Sequence, residues 1–541
     1  MLQEIARLQP AFRTSIGLDP ASRQPVQCIA EHVEVALPLF DLTDLPADQR
    51  QAELMERLQE LADQPIALDR APLLRAALFR LDDEEHVFLL VPHHLVWDGW
   101  SFDVLQQQMA AIYEASLENR PHGIAALPTT HGDYAEWQLS WLAQAESARQ
   151  LQHWKQRFAR TPALQAATTD MPRRAGMSGH GGSQWIVVDA VPTERLREMA
   201  RETNVTLNMF CLGIYALLLS SVIGTSTVVI ANPVRGREMP ETEDVIGFFN
   251  NVLPIALDVD PTLSLREFMH YVRTEMLSLM ACQQLPFERM VMEPEFARVK
   301  GAGLYQGMFS FQDARERPSM LGPLQVTQIH VLQRGATDDL GIWLMDKPGG
   351  LQGSLVYNAD LYLRETAAQL RNRYLELLSR ALESADAPME RIARTVDSAS
   401  ATYLARMDSS RASALLPPGG GNAAARSTRA HLQPEQLALA KIWAQVMTID
   451  IEDIGADDNF FDLGGDSLLA MRAVSRAEGE LALKIEPRRY LFETLGQLVR
   501  QTAPAARAAP TAAFAQRRPR GTVGSGAALL HKVMGGWGRR S

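Results

Sequence analysis

The spacing of apolar residues changes from block to block along the chain. Gln51–Ala62 repeats them at helical intervals, and Leu73–Leu81 reads as a strand. His86-Val-Phe-Leu-Leu-Val91 is an unbroken apolar run of the kind that fills a fully buried strand. After Gly99, Ser101 is placed to cap a helix on which Leu105, Met109, Ile112 and Tyr113 share one face. Val205 to Gly224 carries no charge, but Asn208, Gly213, Ser220 and Ser221 interrupt it and a β-branched run, Thr227-Val-Val-Ile230, follows. That pattern predicts a buried core helix feeding a central strand rather than a membrane span. A second α/β block starts near Gly181 and runs through Leu351–Tyr357 to a helix at Thr366–Glu383.

The pattern breaks between Asp397 and Ala430. Pro417-Pro-Gly-Gly-Gly-Asn422, followed by Ala, Ser and Arg, reads as a flexible linker. A helical block extends from about His431 to Thr502. Residues 504–541 hold seven basic and no acidic side chains, which reads as a solvated extension, with a docking role as the second reading.

Composition narrows the class of protein. A chain of 541 residues exceeds one compact core. A net charge of −11 argues against general nucleic-acid binding. Cys28, Cys211 and Cys282 are few and scattered, which fits a reducing cytoplasm and neither a disulfide framework nor a cysteine-rich zinc site. The opening Met1-Leu-Gln-Glu-Ile-Ala-Arg carries charge in its first turn and shows no signal-peptide pattern. The expectation is a cytoplasmic protein with no nucleic-acid or membrane partner.

Candidate chemistry lies first in His93-His94-Leu-Val-Trp-Asp98-Gly99. Neighbouring residues on an extended segment point to opposite sides, so one histidine can be structural while the other meets a substrate. Asp98 can orient the turn by holding a cation or backbone amides, and Gly99 permits a tight exit into the helix. Against this stands the plainer reading of two satisfied polar histidines at a strand end.

The motif resembles the active-site motif of condensation domains in nonribosomal peptide synthetases. His131-Gly-Asp-Tyr-Ala-Glu-Trp137 looks like that family's Tyr-x-Asp-Phe-Ala-x-Trp element. Asn232-Pro-Val-Arg-Gly-Arg237, Ile246-Gly-Phe-Phe-Asn-Asn251 and Gln283-Gln-Leu-Pro-Phe-Glu288 resemble three further elements, in the family's order. The resemblance implies an α/β fold of two chloramphenicol-acetyltransferase-like lobes, about 1–170 and 171–396, with a tunnel that two pantetheine arms enter from opposite faces. It makes His94 the catalytic candidate beside His93 and Gly99, and Asp98 an architectural ion-pair partner of Arg13, Arg235 or Arg237. No metal is implied. Trp97 stands where the family usually has a small or acidic residue. Leu8-Gln-Pro-Ala-Phe-Arg13-Thr14 keeps only the final Arg-Thr of the family's Arg-His-Glu-x-Leu-Arg-Thr element. Either the start is assigned too late or the first lobe is incomplete, and in the second case a missing edge would expose apolar surface.

The second chemical motif is Asn459-Phe-Phe-Asp462-Leu-Gly-Gly-Asp466-Ser467-Leu-Leu. Two glycines precede a serine at a helix start, where a phosphodiester benefits from the helix N-terminus. An ordinary N-cap serine is the plain alternative. The stretch resembles the phosphopantetheine site of a peptidyl carrier protein, a small all-α four-helix domain expected over 431–503 and joined by the linker 397–430. That implies 4'-phosphopantetheine on Ser467, with Asp466, where many carriers have His, tuning the docking of partners. Between Asp450 and Asp466 there are seven acidic and no basic residues, a solvated face or a surface complementary to basic partners.

Together the resemblances imply an acyltransferase that condenses an upstream carrier-bound acyl or peptidyl thioester with an amine on its own carrier. The implied partners are that upstream acyl or peptidyl carrier, a phosphopantetheinyl transferase, an adenylation enzyme acting in trans, and a downstream module or releasing enzyme. Ester formation, a free amine acceptor and an inactive docking module remain alternatives. An epimerisation domain normally follows its carrier, and a heterocyclisation domain carries Asp in place of the histidine pair.

Overall fold

The computed structural model describes residues 1–394 and 432–500, except 21–24, 163, 174–177, 294, 295, 297–303, 316, 318, 319, 330, 332, 333, 448, 457, 459, 461, 462, 464–466, 482, 484 and 486–493. The expected linker, the basic tail and Asp466 lie outside the described residues.

The first lobe holds helices α1 (Leu2–Leu8), α2 (Ala47–Asp63) and α3 (Gly99–Leu117). Its strands are β1 (Thr14–Leu18), β2 (Pro25–Ile29), β3 (Leu39–Asp41), β4 (Leu74–Arg80) and β5 (His86–Pro92). β1 and β2 pair as a hairpin, and β3-β4-β5 form one sheet. β4 shows why this sheet forms. Leu74 and Ala76 enter a core with Leu105, Met109 and Ile112 of α3, while Ala77 and Phe79 enter another with Leu54 and Leu58 of α2. Successive side chains point to opposite faces, so a strand apolar at both parities needs a helix on each side.

β5 is the exception to expectation. Of its apolar run only Leu89 is buried. The strand pairs with β4 alone and lies at an edge of the described sheet, so its apolar content does not bring full burial. Apolar side chains also stand open on the first lobe, among them Leu18, Val26, Ile29 and Leu39.

The second lobe is built on β6 (Gly181–Asp189), β7 (Thr227–Val234), β8 (Asn251–Asp258), β9 (Gly307–Asp313), β12 (Leu340–Lys347) and β13 (Gly350–Asn358). These form a mixed six-stranded sheet in the order β6-β13-β12-β9-β7-β8. The short hairpin β10 (Met320–Leu321) and β11 (Leu324–Gln325) interrupts the run between β9 and β12. The helices are α4 (His131–Leu142), α5 (Ala145–Arg160), α6 (Ala190–Glu202), α7 (Leu207–Ile223), α8 (Leu265–Met280), α9 (Phe287–Val291), α10 (Arg364–Ala381) and α11 (Met389–Ala393).

α7 is the uncharged run. Thr206 caps its start, Gly224 ends it in the left-handed conformation at φ 73°, and its side chains are buried almost all round. It leads into β7, an interior strand of the sheet. No single described helix is long and apolar enough to cross a membrane. Trp141, Trp154 and Phe158 also belong to this core, although they precede residue 171.

Two segments of the second lobe reach the first. Leu321 packs against the core under α3, and Arg317 pairs with Asp103 of α3 at 2.6 Å. Ile246, between β7 and β8, is a full member of the first-lobe core.

The carrier region shows α12 (Pro434–Met447), α13 (Ser467–Leu481) and α14 (Leu495–Arg500). They enclose Leu439, Trp443, Phe460, Ala473, Ala477 and Leu498. The Trp443 and Phe460 rings meet edge to face at 5.1 Å, which anchors Phe460 in the bundle.

Candidate active site

β5 ends at Pro92, and the His93 N–H donates to the Leu73 carbonyl at 2.8 Å, the last rung of the hairpin. The chain then turns through one short 3-10 turn, His94–Val96, that sets the two histidines apart. His93 is half-buried, and its Nδ1 accepts the Leu95 N–H at 3.2 Å. Burial, then the neighbouring His94, holds the His93 imidazole below its ordinary value of 6.5. Its part in the structure is to cap the turn.

His94 is exposed. Its Nδ1 lies 2.6 Å from the Trp97 carbonyl oxygen. A carbonyl only accepts, so Nδ1 carries the proton and the neutral ring presents a lone pair on Nε2. The Phe248 ring stands edge to face against His94, 5.0 Å away at 89°. Trp97 itself is buried between Phe12 (6.0 Å) and Phe102 (5.2 Å). Here the structure accounts for the unusual residue: its ring fills the first-lobe core while its backbone orients His94.

Asp98, 1 % exposed, is the N-cap of α3. It accepts the Ser101 N–H at 2.8 Å and the Ser101 hydroxyl at 2.7 Å, so Ser101 is the third helical residue of a capping box and not the cap. Of the three candidate arginines, Arg237 is the partner, with Nη2 3.0 Å from both carboxylate oxygens. Arg13 instead donates to the Ala6 and Ala30 carbonyls, and Arg235 pairs with Glu243 and lies 3.6 Å over the Trp100 ring. Gly99 has no left-handed backbone. A Cβ there would lie 2.9 Å from Nε2 of Gln312 on β9, the movable end of a long side chain, so the second lobe comes close here but the turn itself is unstrained.

Arg237 is 7 % exposed and also donates to the Thr242 and Val245 carbonyls. Burial lowers its pKa while Asp98 opposes the shift. Its guanidinium lies 4.0 Å over the Phe249 ring, and the Phe249 N–H donates to Asp98 at 3.2 Å. Gly236 holds φ +65°, and a side chain there would strike the Phe249 carbonyl. Gln9, fully buried, receives the Ile246 N–H at 2.9 Å and donates to the Asp244 carbonyl at 2.8 Å. Nothing in the sequence pattern singled out Gln9, because its partners lie over 200 residues away.

The other elements converge as well. Asn251 donates to the Gln283 and Leu285 carbonyls at 2.7 and 2.8 Å and accepts the Phe287 N–H at 3.0 Å, tying two of the quoted elements together. His131 heads α4, and its Nε2 lies 2.8 Å from the Phe248 carbonyl oxygen. Burial holds its imidazole below 6.5. The unfolded chain therefore takes up a proton near pH 6.5 that the folded chain refuses, and stability falls as the pH drops below that value. One such group contributes at most about 1.4 kcal/mol per pH unit. The thermal midpoint is expected to fall from pH 7.5 to 5.5, with a shallower fall for His131→Gln. An equal slope in both proteins would remove His131 as a source.

In the carrier, α13 begins at Ser467. A helix of 15 residues beginning at the serine suits a phosphodiester there, whose charge would meet the first-turn N–H groups, which have no intrahelical partner, and the positive end of the dipole.

A condensation-domain model matches residues 1–403, and a phosphopantetheine attachment site matches residues 438–501. The chain belongs to the condensation-domain family. It joins that domain to a carrier that bears a covalent 4'-phosphopantetheine on a serine. A linear gramicidin synthase chain of Brevibacillus parabrevis is 34% identical over 359 residues, 66% of this chain and 5% of that protein. Chondramide synthase cmdD of Chondromyces crocatus is 31% identical over 68% of this chain and 9% of its own length. Phosphinothricin tripeptide synthetase PhsC of Streptomyces viridochromogenes is 31% identical over 70% of this chain and 35% of its own. The chain thus spans a minor part of these relatives. Among solved structures, SgcC5 of Streptomyces globisporus has a TM-score of 0.61 at 25% identity, covering 72% of this chain and 89% of that one. The first condensation domain of the calcium-dependent antibiotic synthetase, at 0.61 and 22% identity over 72% and 88%, shares the two-lobed α/β fold.

Proposed function

We propose that this condensation domain joins an upstream carrier-bound acyl or peptidyl thioester to an amine presented on its own carrier at Ser467, forming an amide. The carrying observation is the His94 ring, with Nδ1 committed to the Trp97 carbonyl at 2.6 Å and Nε2 left as an acceptor. The phosphopantetheine thiol, once attached, supplies the thioester linkage by which acyl groups are carried. The amine nitrogen attacks the acyl carbon, the C–N bond forms, the C–S bond breaks, and the amine proton ends on the departing sulfur.

His94 Nε2 accepts that proton in passing or holds the neutral amine in place. An α-amine with a pKa of roughly 8 is mostly protonated at neutral pH, so a nearby base helps. A thioester is already activated, and positioning carries the larger share of the acceleration. Asp98, Arg237 and Ser101 hold the loop, while His93 caps it.

The carrier receives its arm from a phosphopantetheinyl transferase and its amino acid from an adenylation enzyme in trans. Its acidic approach to Ser467, with Asp466, offers charge for basic partners. A downstream module or releasing enzyme takes the product. The free cysteines Cys28, Cys211 and Cys282 fit work in the reducing cytoplasm.

A second reading has one observation behind it. The X-domain from teicoplanin biosynthesis shares this fold, at a TM-score of 0.61, and has been solved as a complex with OxyB. A docking role without turnover would make His94 dispensable. Under the condensation reading, His94→Ala slows amide formation about 10²–10⁴-fold with carrier loading intact. An unchanged rate in a single-turnover assay would favour docking.

A further inference from the structure

His131 stands where the resembling family element carries tyrosine, and it sits beside the catalytic loop rather than on it. We infer that His131 is a positioning residue: by fixing Phe248, it holds the His94 ring in the orientation that leaves Nε2 free. The inference rests on the condensation reading, since it assigns the residue a part in that site.

The geometry forms one connected path. The Phe248 carbonyl is an acceptor only, so the His131 Nε2 at 2.8 Å is the donor. The His131 Nδ1 is then the lone-pair side, and the Gln27 amide nitrogen lies 3.4 Å from it. Both ring nitrogens thus face a partner without a positive charge. The ring is also packed edge to face on Phe249 at 5.1 Å. Gly247 completes the fit, because a Cβ there would lie 2.9 Å from the His131 Cδ2 and 3.1 Å from its Cβ.

The strip 247–249 is therefore held from two sides. Asp98 takes the Phe249 N–H at 3.2 Å, Ser101 Oγ takes the Gly247 N–H at 3.2 Å, and His131 donates to the carbonyl between them. What this strip presents to the site is the Phe248 ring, 37 % exposed and set at 89° against His94. His94 then has two lateral constraints, the Trp97 carbonyl and the Phe248 ring. An exposed imidazole with only the first can rotate and exchange tautomers. Loss of the His131 hydrogen bond frees the Phe248 carbonyl and removes the second.

Nitrogen NMR of histidine-labelled full-length protein reads the tautomer directly and needs no substrate. His94 in the wild type is expected almost wholly as Nδ1–H when neutral. In His131→Phe this population falls to a minority, and His131→Gln, which keeps an N–H donor, restores it. Phe248→Leu, at a part-exposed position that leaves the backbone carbonyl in place, should give the same shift as His131→Phe. A wild-type tautomer in Phe248→Leu overturns the inference even if His131→Phe does not fold. So does a folded His131→Phe that leaves His94 unchanged. A wild type already lacking the Nδ1–H form removes the support for the condensation mechanism itself, which separates that failure from this one.

Discussion

Ser467→Ala is expected to abolish the uptake of phosphopantetheine altogether. Incubated with coenzyme A and a broad-specificity phosphopantetheinyl transferase, the wild type should gain a single arm of about 340 Da by intact-protein mass. The variant should gain none. The effect is all or nothing because the hydroxyl is the attacking group: without it, helix α13 still offers its N-terminus but no oxygen to form the phosphodiester. A serine that merely caps a helix predicts something else, a loss of about 1 kcal/mol of stability and no mass change in either protein. Mass gain in Ser467→Ala would place the arm on another residue. No gain in folded wild type would remove the carrier assignment of Ser467, and with it the tethered acceptor.

The second large effect is expected at the buried pair Asp98–Arg237, whose side chains are both inaccessible to solvent. Asp98→Ala leaves the Arg237 guanidinium buried with carbonyls but without an anion. Arg237→Ala leaves the Asp98 carboxylate with the Ser101 and Phe249 N–H groups and the Ser101 hydroxyl. Each single change is expected to cost about 3–5 kcal/mol, because breaking a buried pair strands an uncompensated charge. The double variant should cost clearly less than the sum, since no stranded charge remains. Chemical denaturation of the four proteins measures this, and strictly additive losses would show that the two residues do not act as a pair. Amide formation should fall in both single variants as well. The pair joins the N-cap of α3 to the segment carrying Phe248 and Phe249, and His94 is held from both sides of that joint.

Much of this protein can be read along the chain. The helix at 207–223 follows from an apolar stretch too continuous for a surface and ended by glycine. The strands β4 and β5 and the turn into α3 follow from local periodicity and from side chains that reach only a few residues. The candidate groups are legible in the same way, because a histidine pair followed by Asp and Gly, and a serine behind two glycines, are local statements. Local reading failed where burial or partnership depends on distant chain. β5 looks buried by composition and is not, because its place at the sheet edge is set by which strands pair with it. Ser101 looks like a cap, but the side chain of Asp98 outcompetes it for that position.

How the site is held became visible only in the folded molecule. Asp98 had three equally plausible arginines in the sequence, and the choice of Arg237 joins positions 139 residues apart. The contacts of Gln9, Phe248 and His131, and the tight fit at Gly236 and Gly247, are made between distant parts of the chain. A side chain can announce its chemistry in one dimension, since that depends on its own atoms and near neighbours. Its tautomer, its charge partner and its freedom to move depend on what folding brings within about 3 Å, the range of a hydrogen bond.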